Sequence, residues 1–210
     1  MDTTVSSDGR HKRGRRSRSL ITAAASKLFL ERGFAATTVS AIAEEAGLSE
    51  PTVYYAFGSK EAVLVRALDI AIAGDEEEVA TLDREWTSVV ISEPDAAHQV
   101  QLMVAGAGDI LIRAAPLLRV LQNSSGLSQE LAATWSENGH QRREVQSRFV
   151  TALAEKGPLA SGTSSEQATD LCTMYLGPEV YSALVHDLGW SHDAWATFVT
   201  SALQRCLLPD

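Results

Sequence analysis

Three observations predict an all-α fold. Apolar residues recur at three- and four-residue spacing along most of the chain, capping residues, glycines and prolines cut that spacing into helix-sized runs, and no β alternation of useful length occurs. There is no internal repeat. The 210 residues suffice for one or two domains with a real core. A content of 45% hydrophobic and 21% charged residues excludes a mostly disordered or collagen-like chain.

The first helix is predicted over about Arg16 to Arg32. There Leu20, Ala24 and Leu28 run beside Ile21, Ala25 and Phe29 as a double stripe, and Gly33 supplies a C-cap. Thr38 caps a short second helix with Val39, Ile42, Ala43 and Ala46 on one face, stopped by Gly47. Ser49 caps a third with Pro51 in its first turn, ended by Gly58. Ser59 opens a fourth, with Glu61 in the first turn and Leu64, Ala67, Leu68 and Ala71 as its buried stripe. Gly74 to Asp95, acidic and weakly periodic, reads as a frayed helix end plus a loop. Helical spacing resumes from Val100 to Ala114, and Pro116 breaks it or begins a short successor. A longer helix is predicted from Ser128 to Lys156, ended by Gly157-Pro158, and Leu159 to Ser165 reads as a loop. Two runs close the chain: Glu166 to Leu188, interrupted at Gly177-Pro178, and Ser191 to Leu208.

The net charge of −9 hides an asymmetry. Residues 1–60 hold nine Lys/Arg and six Asp/Glu, net +3, while the remainder is net −12. Six of the basic residues lie between Arg10 and Arg18, a run that attracts polyanions and is expected to be a disordered basic arm over residues 1–15. No apolar run approaches the ~20 residues of a membrane helix, and the polar, arginine-rich N-terminus lacks the core of a secretory signal, so the cytoplasm is the expected location. Cys172 and Cys206 lack metal-ligand or CxxC spacing and read as small core residues of a reducing compartment. His98, His140 and His186 form no metal set, and neither a metal nor a cofactor is expected.

Two short helices joined at Gly47-Leu48, with Ile42, Ala43, Leu48 and Val53 facing inward, have the helix-turn-helix layout in which the second helix enters the DNA major groove. Around it stand Phe29, Gly33-Phe34, Thr37-Thr38-Val39, Ala46-Gly47, Ser49, Thr52-Val53-Tyr54, Phe57 and Lys60-Glu61 in one unbroken frame. Over residues 16 to 65 this frame closely resembles the N-terminal domain of the tetracycline-repressor (TetR) family of bacterial one-component regulators. Downstream, Asp170-Leu171, Pro178-Glu179-Val180-Tyr181 and Gly189-Trp190-Ser191 resemble the last two helices of one common subgroup. The resemblance implies a helix-turn-helix DNA-binding domain at 16–62 and a helical ligand-binding and dimerisation domain at 63–210. It also implies a homodimer binding a near-palindromic double-stranded operator and an unknown small-molecule effector that releases it.

Helix N-termini near Val39, Glu50 and Lys60 offer free N–H groups to phosphates, and Lys60 adds a full charge. By resemblance, Thr38 and Tyr54 donate hydroxyls to phosphates, while Ser40, Glu50, Pro51, Thr52 and Tyr55 face base edges and Ser49 belongs to the same surface. Glu50 repels phosphates yet can accept from cytosine N4, which makes it a discriminating residue. Ala56 stands where many relatives carry a larger polar residue, a loss for which the basic arm can compensate by reaching the backbone or minor groove.

Along the long helix, Leu131, Trp135, Asn138, Arg142, Val145 and Phe149 form a stripe with two polar interruptions. Asn138 and Arg142 must find partners, line a wet cavity or lie near solvent, an acid such as Asp109 or Asp170 being an alternative partner for the arginine. Asp109, Trp135, Asn138, Arg142 and Tyr175 are the candidate pocket residues. The final helix presents Trp195, Phe198, Val199, Ala202 and Leu203, and the run before it Tyr181 and Leu184. These residues are assigned to a C2 dimer interface, since the resemblance requires two recognition helices about one DNA turn (~34 Å) apart, with a purely internal core as the alternative.

The leading function is therefore a ligand-responsive repressor. An architectural or interaction protein without a pocket is the alternative. A helical enzyme is disfavoured, since nucleophile elbow, phosphate loop and metal motif are all missing from the sequence.

Overall fold

Six helix starts are fixed by a side chain that accepts the backbone N–H three residues on: Thr38, Ser59, Asp95, Ser128, Ser164 and Ser191, facing Ala41, Ala62, His98, Leu131, Gln167 and Ala194. In the computed structural model, which describes residues 5–77 and 79–209 with side chains from residue 12 onward, these caps divide the chain into ten helices. They are α1 (Val5–Ala36), α2 (Val39–Glu45), α3 (Glu50–Phe57), α4 (Lys60–Ala73), α5 (Glu85–Ser92), α6 (Ala96–Ser124), α7 (Gln129–Lys156), α8 (Ser165–Tyr175), α9 (Pro178–Tyr181) and α10 (His192–Leu207). Every regular element among the described residues is helical, as the sequence predicts.

Three differences from expectation have physical causes. First, α1 kinks at Gly33 and reaches back to Val5, so the basic segment from residue 5 onward continues a helix rather than forming a disordered arm; residues 1–4 lie outside the described residues. Lys and Arg are good helix formers, and extending an existing helix needs no new nucleus. Second, α5 occupies part of the stretch read as loop. Its eight residues bury only Thr87 and Val90, too short a run to show a period. Third, α6 runs unbroken through Pro116. The carbonyl that loses its intrahelical partner there belongs to Ile112, which is half exposed, so water can replace the missing N–H. After α9 the chain continues as a π-turn, Ser182–Asp187.

Two apolar cores share α6. The first joins Ile21, Phe29, Phe34, Ile42, Val53, Leu64 and Leu68 to Leu117, Leu118 and Leu121 of α6 and Leu131 of α7. The second joins Val100, Met103 and Val104 of α6 to Phe149, Val150 and Leu153 of α7, Cys172 of α8 and Trp195, Val199 and Leu203 of α10. At 1.5 Å per residue α6 is about 43 Å long, enough to belong to both. The boundary expected at residue 62 falls inside α4, whose apolar face packs on α1 and α6 together.

Candidate nucleic-acid interface and internal cavity

Gly47, at φ 66°, lets the chain turn sharply between α2 and α3: its N–H donates to Glu44 O (3.0 Å) and the Leu48 N–H to Ala43 O (2.9 Å). Ile42, Ala43 and Val53 anchor the pair in the first core. With Val53 buried and Ala56 and Phe57 packed against the same core, geometry turns the opposite side of α3 outward. Tyr55 is 95% exposed, Tyr54 52%, and Glu50, Pro51 and Ser49 are exposed, as are Thr38 and Ser40 on the neighbouring helix; Thr52 is half-buried. The Ser49 and Thr52 hydroxyls are hydrogen-bonded to each other at 2.8 Å, which fixes the first turn of α3. Of the nine expected DNA-facing residues, seven are exposed and Thr52 is half-buried.

Lys60 is the exception. Its ammonium donates to Phe34 O (2.8 Å) and Thr37 O (2.7 Å) and sits 4.1 Å from the centre of the Phe34 ring. The expected free charge at the start of α4 is instead a clamp on the corner between α1 and α2, and burial holds its pKa below that of an ordinary lysine. Thr37, not singled out in the sequence, completes the corner: it is buried and its hydroxyl bonds Gly33 O at 2.8 Å. Its signal was the Thr-Thr pair, of which only the second member caps a helix.

A cavity of about 600 Å³ lies between the two cores, bounded by α4, Glu77, residues 79–82, α5, α6, α7 and Leu176. Of the candidate pocket residues, Asn138 and Arg142 line it. Asp109, Trp135 and Tyr175 do not: Asp109 is exposed on the outer side of α6, Trp135 packs on the first core beneath the Arg142 guanidinium (5.4 Å), and Tyr175 packs against Phe198 (6.4 Å). Helical phase decides these placements, since the inward side of each helix follows from its packing partners rather than from its own composition. Arg142 pairs with Glu179 at 3.3 Å, whereas Asp170 is taken by Arg143. Gln146 and Trp86 also line the cavity and were missed. Gln146 is the next i+4 step after Asn138 and Arg142, a signal present in the sequence; Trp86 lay in the stretch read as loop.

Trp86 reaches the cavity because α6 carries no side chain at Gly106. A Cβ there would lie 2.4 Å from two atoms of the indole, which also packs edge-on against Phe149 at 5.7 Å. Gly106→Ala is expected to displace Trp86 and to cost about 1–3 kcal/mol, more than the roughly 1 kcal/mol of helix propensity gained. Thermal unfolding and tryptophan emission measure both; an unchanged spectrum with higher stability would refute the contact.

The candidate dimer residues divide. Tyr181, Trp195, Val199, Ala202 and Leu203 are buried within the subunit, which corrects their assignment to an intersubunit face. Leu184 is half-buried and Phe198 is 40% exposed. The apolar surface that α8 and α10 leave open is a neighbouring one, with Met174, Tyr175, Trp190 and Phe198, the last two rings 5.6 Å apart. The α10 stripe is broad enough to serve two sides, and packing gives its centre to the internal core.

Cys172 is a buried thiol pushed up to about 12 by desolvation, inert as a nucleophile at neutral pH. Among the described residues, no cluster of His, Cys, Asp and Glu has metal-ligand geometry and no helix is long and apolar enough to cross a membrane.

Residues 21–67 match the family described as bacterial regulatory proteins, tetR family. The chain is 28% identical over 180 residues to YdeS of Bacillus subtilis, an uncharacterised HTH-type transcriptional regulator, covering 80% of this chain and 83% of that one. Its fold is similar to that of NalD from Pseudomonas aeruginosa, the secondary repressor of the MexAB-OprM multidrug efflux pump, with a TM-score of 0.71, 19% identity, and 93% and 98% of the two chains covered. It is similar also to that of the Bacillus subtilis regulator FadR in complex with stearoyl-CoA, with a TM-score of 0.67, 19% identity, and 88% and 96% covered. With a helix-turn-helix exposed at α2–α3 and a helical body behind it, residues 21–67 match the tetR family of bacterial regulatory proteins and the chain as a whole shares the fold of solved regulators of that type.

Proposed function

We propose that the protein is a cytoplasmic, homodimeric repressor that binds a near-palindromic operator and is released by a small molecule held in the cavity. The observation that carries the reading is the opposite placement of neighbouring residues on α3: Val53 is locked in the core while Tyr55 stands 95% exposed, with Thr38, Ser40, Glu50 and Pro51 on the same surface. Such a surface suits base edges and phosphates together. The open apolar face of Met174, Tyr175, Trp190 and Phe198 supports pairing with a second copy, and a C2 dimer would set two α3 helices about 34 Å apart, one DNA turn. Release follows from connectivity. Helix α4 lines the cavity through Arg66, Asp69 and Ile72 and starts at the clamp on the DNA-binding unit, so a ligand that moves α4 changes the spacing of the two α3 helices. A coupling of about 1–3 kcal/mol alters affinity 5–150-fold. The cavity favours this reading over an architectural protein without a ligand site.

Enriching genomic fragments on the purified protein and footprinting them tests the proposal. Tyr55→Ala, a change outside the core, is expected to leave stability within about 0.5 kcal/mol. Its preference for the recovered sequence over random DNA should fall by about 1–3 kcal/mol. Equal enrichment of all sequences by the unmodified protein would defeat the operator reading.

A further inference from the structure

On the cavity side of α7, Asn138, Arg142 and Gln146 succeed one another at four-residue steps and span about 12 Å of the helix axis. Asn138 and Gln146 are 8% and 7% exposed. The Asn138 Oδ1, Arg142 Nε and Gln146 Oε1 atoms are buried and have no hydrogen-bond partner among the described residues. Buried polar groups are ordinarily paired, and three orphans in one row on a cavity wall mark a place where a guest supplies the partners. The row offers two carbonyl oxygens flanking one N–H. The arginine's charge is already balanced, since its Nη1 faces Glu179 at 3.3 Å and its plane lies over the Trp135 ring. Elsewhere on the lining, Asp69, Glu77, Glu137 and Glu144 outnumber the remaining cation, Arg66.

We propose that the cavity takes an uncharged amphiphile with an amide- or urea-type head, an inference that rests on the cavity being the effector site. The head's carbonyl accepts from Arg142 Nε–H, and its N–H donates to the side-chain oxygen of Asn138 or of Gln146, one of the two neighbours four residues away. The apolar body lies against Ile72, Trp86, Leu111 and Leu118. A carboxylate would need to displace Glu179 and approach a lining already net acidic. A CoA thioester would bring several more negative charges to it, so the ligand class differs from the stearoyl-CoA bound in the Bacillus subtilis FadR structure.

The test holds the tail constant and varies the head. Dodecanamide, dodecanoate, dodecyltrimethylammonium and dodecanoyl-CoA are titrated into the full chain below their micellar concentrations, read by calorimetry and by tryptophan emission. Dodecanamide is expected to bind at least tenfold tighter than dodecanoate and dodecanoyl-CoA, whose negative charge the lining opposes, and than dodecyltrimethylammonium, whose head has neither N–H nor carbonyl to pair with the orphaned atoms. The double variant Asn138→Leu, Gln146→Leu should lower its affinity at least tenfold, leave dodecyltrimethylammonium unchanged, and melt no lower than the parent. Should that variant not fold, Gln146→Met alone gives the same comparison. Any charged head that binds as tightly as the amide overturns the proposed head chemistry and leaves the cavity reading intact, as does an amide indifferent to the substitutions. Binding of none of the four overturns both. An amide that binds in the cavity yet does not release the enriched DNA supports the head chemistry and removes the effector role.

Discussion

Lys60→Met is expected to lower the unfolding free energy by about 1.5–3 kcal/mol, the worth of hydrogen bonds from a charged donor, and to leave the salt dependence of DNA binding unchanged. Methionine keeps an apolar stem over the Phe34 ring but removes the donor from the carbonyls of Phe34 and Thr37. Both residues are buried at the corner that leads into the Thr38 cap and hence into α2 and α3. Affinity should therefore fall alike for every DNA sequence, because the whole reading unit loosens. A lysine seated on phosphate behaves differently: its removal eliminates one released counterion and reduces the salt slope by about 0.9. Urea denaturation, with DNA affinity measured at several salt concentrations, separates the two. A slope reduced by one unit with stability intact would show that the ammonium leaves the clamp for DNA.

Trp195→Ala carries the second large effect, a loss of about 3–5 kcal/mol that does not depend on protein concentration. The indole is fully buried, with Tyr181 5.0 Å and His192 5.6 Å from it, ring centre to ring centre. Phe198→Asp, three residues further along α10, should cost only about 0.5–1 kcal/mol of subunit stability, at the low end for point substitutions. Its effect belongs in sedimentation, as dissociation of the proposed dimer at concentrations where the parent is expected to remain paired. Reversal of this pattern, with Trp195→Ala affecting assembly and Phe198→Asp affecting only folding, would return the interface to the residues that the structure places in the core.

These contrasts mark where sequence information runs out. Helix ends were legible because they depend on neighbours in the chain: Thr38, Ser59, Ser128 and Ser191 cap the helices expected to follow them. The outward face of α3 was legible for a related reason. A helix of eight residues anchored by Val53 has only one way to face, so Tyr54 and Tyr55 point outward whatever lies elsewhere in the molecule.

Lys60, Trp195 and Tyr175 were not legible in this way. A lysine at a helix start reads as solvated until a carbonyl pair, 23 and 26 residues away in the chain, is folded against it. An amphipathic stripe such as Trp195, Val199, Ala202 and Leu203 states that it will be buried but not by which partner. The sequence alone determined the all-helical class, most of the helix starts and the outward face of α3, because capping, turn conformation and helical period act over a few residues. Only the tertiary structure decided where the cavity lies, which face of α10 stays open and what Lys60 holds, because each depends on surfaces brought together from distant parts of the chain.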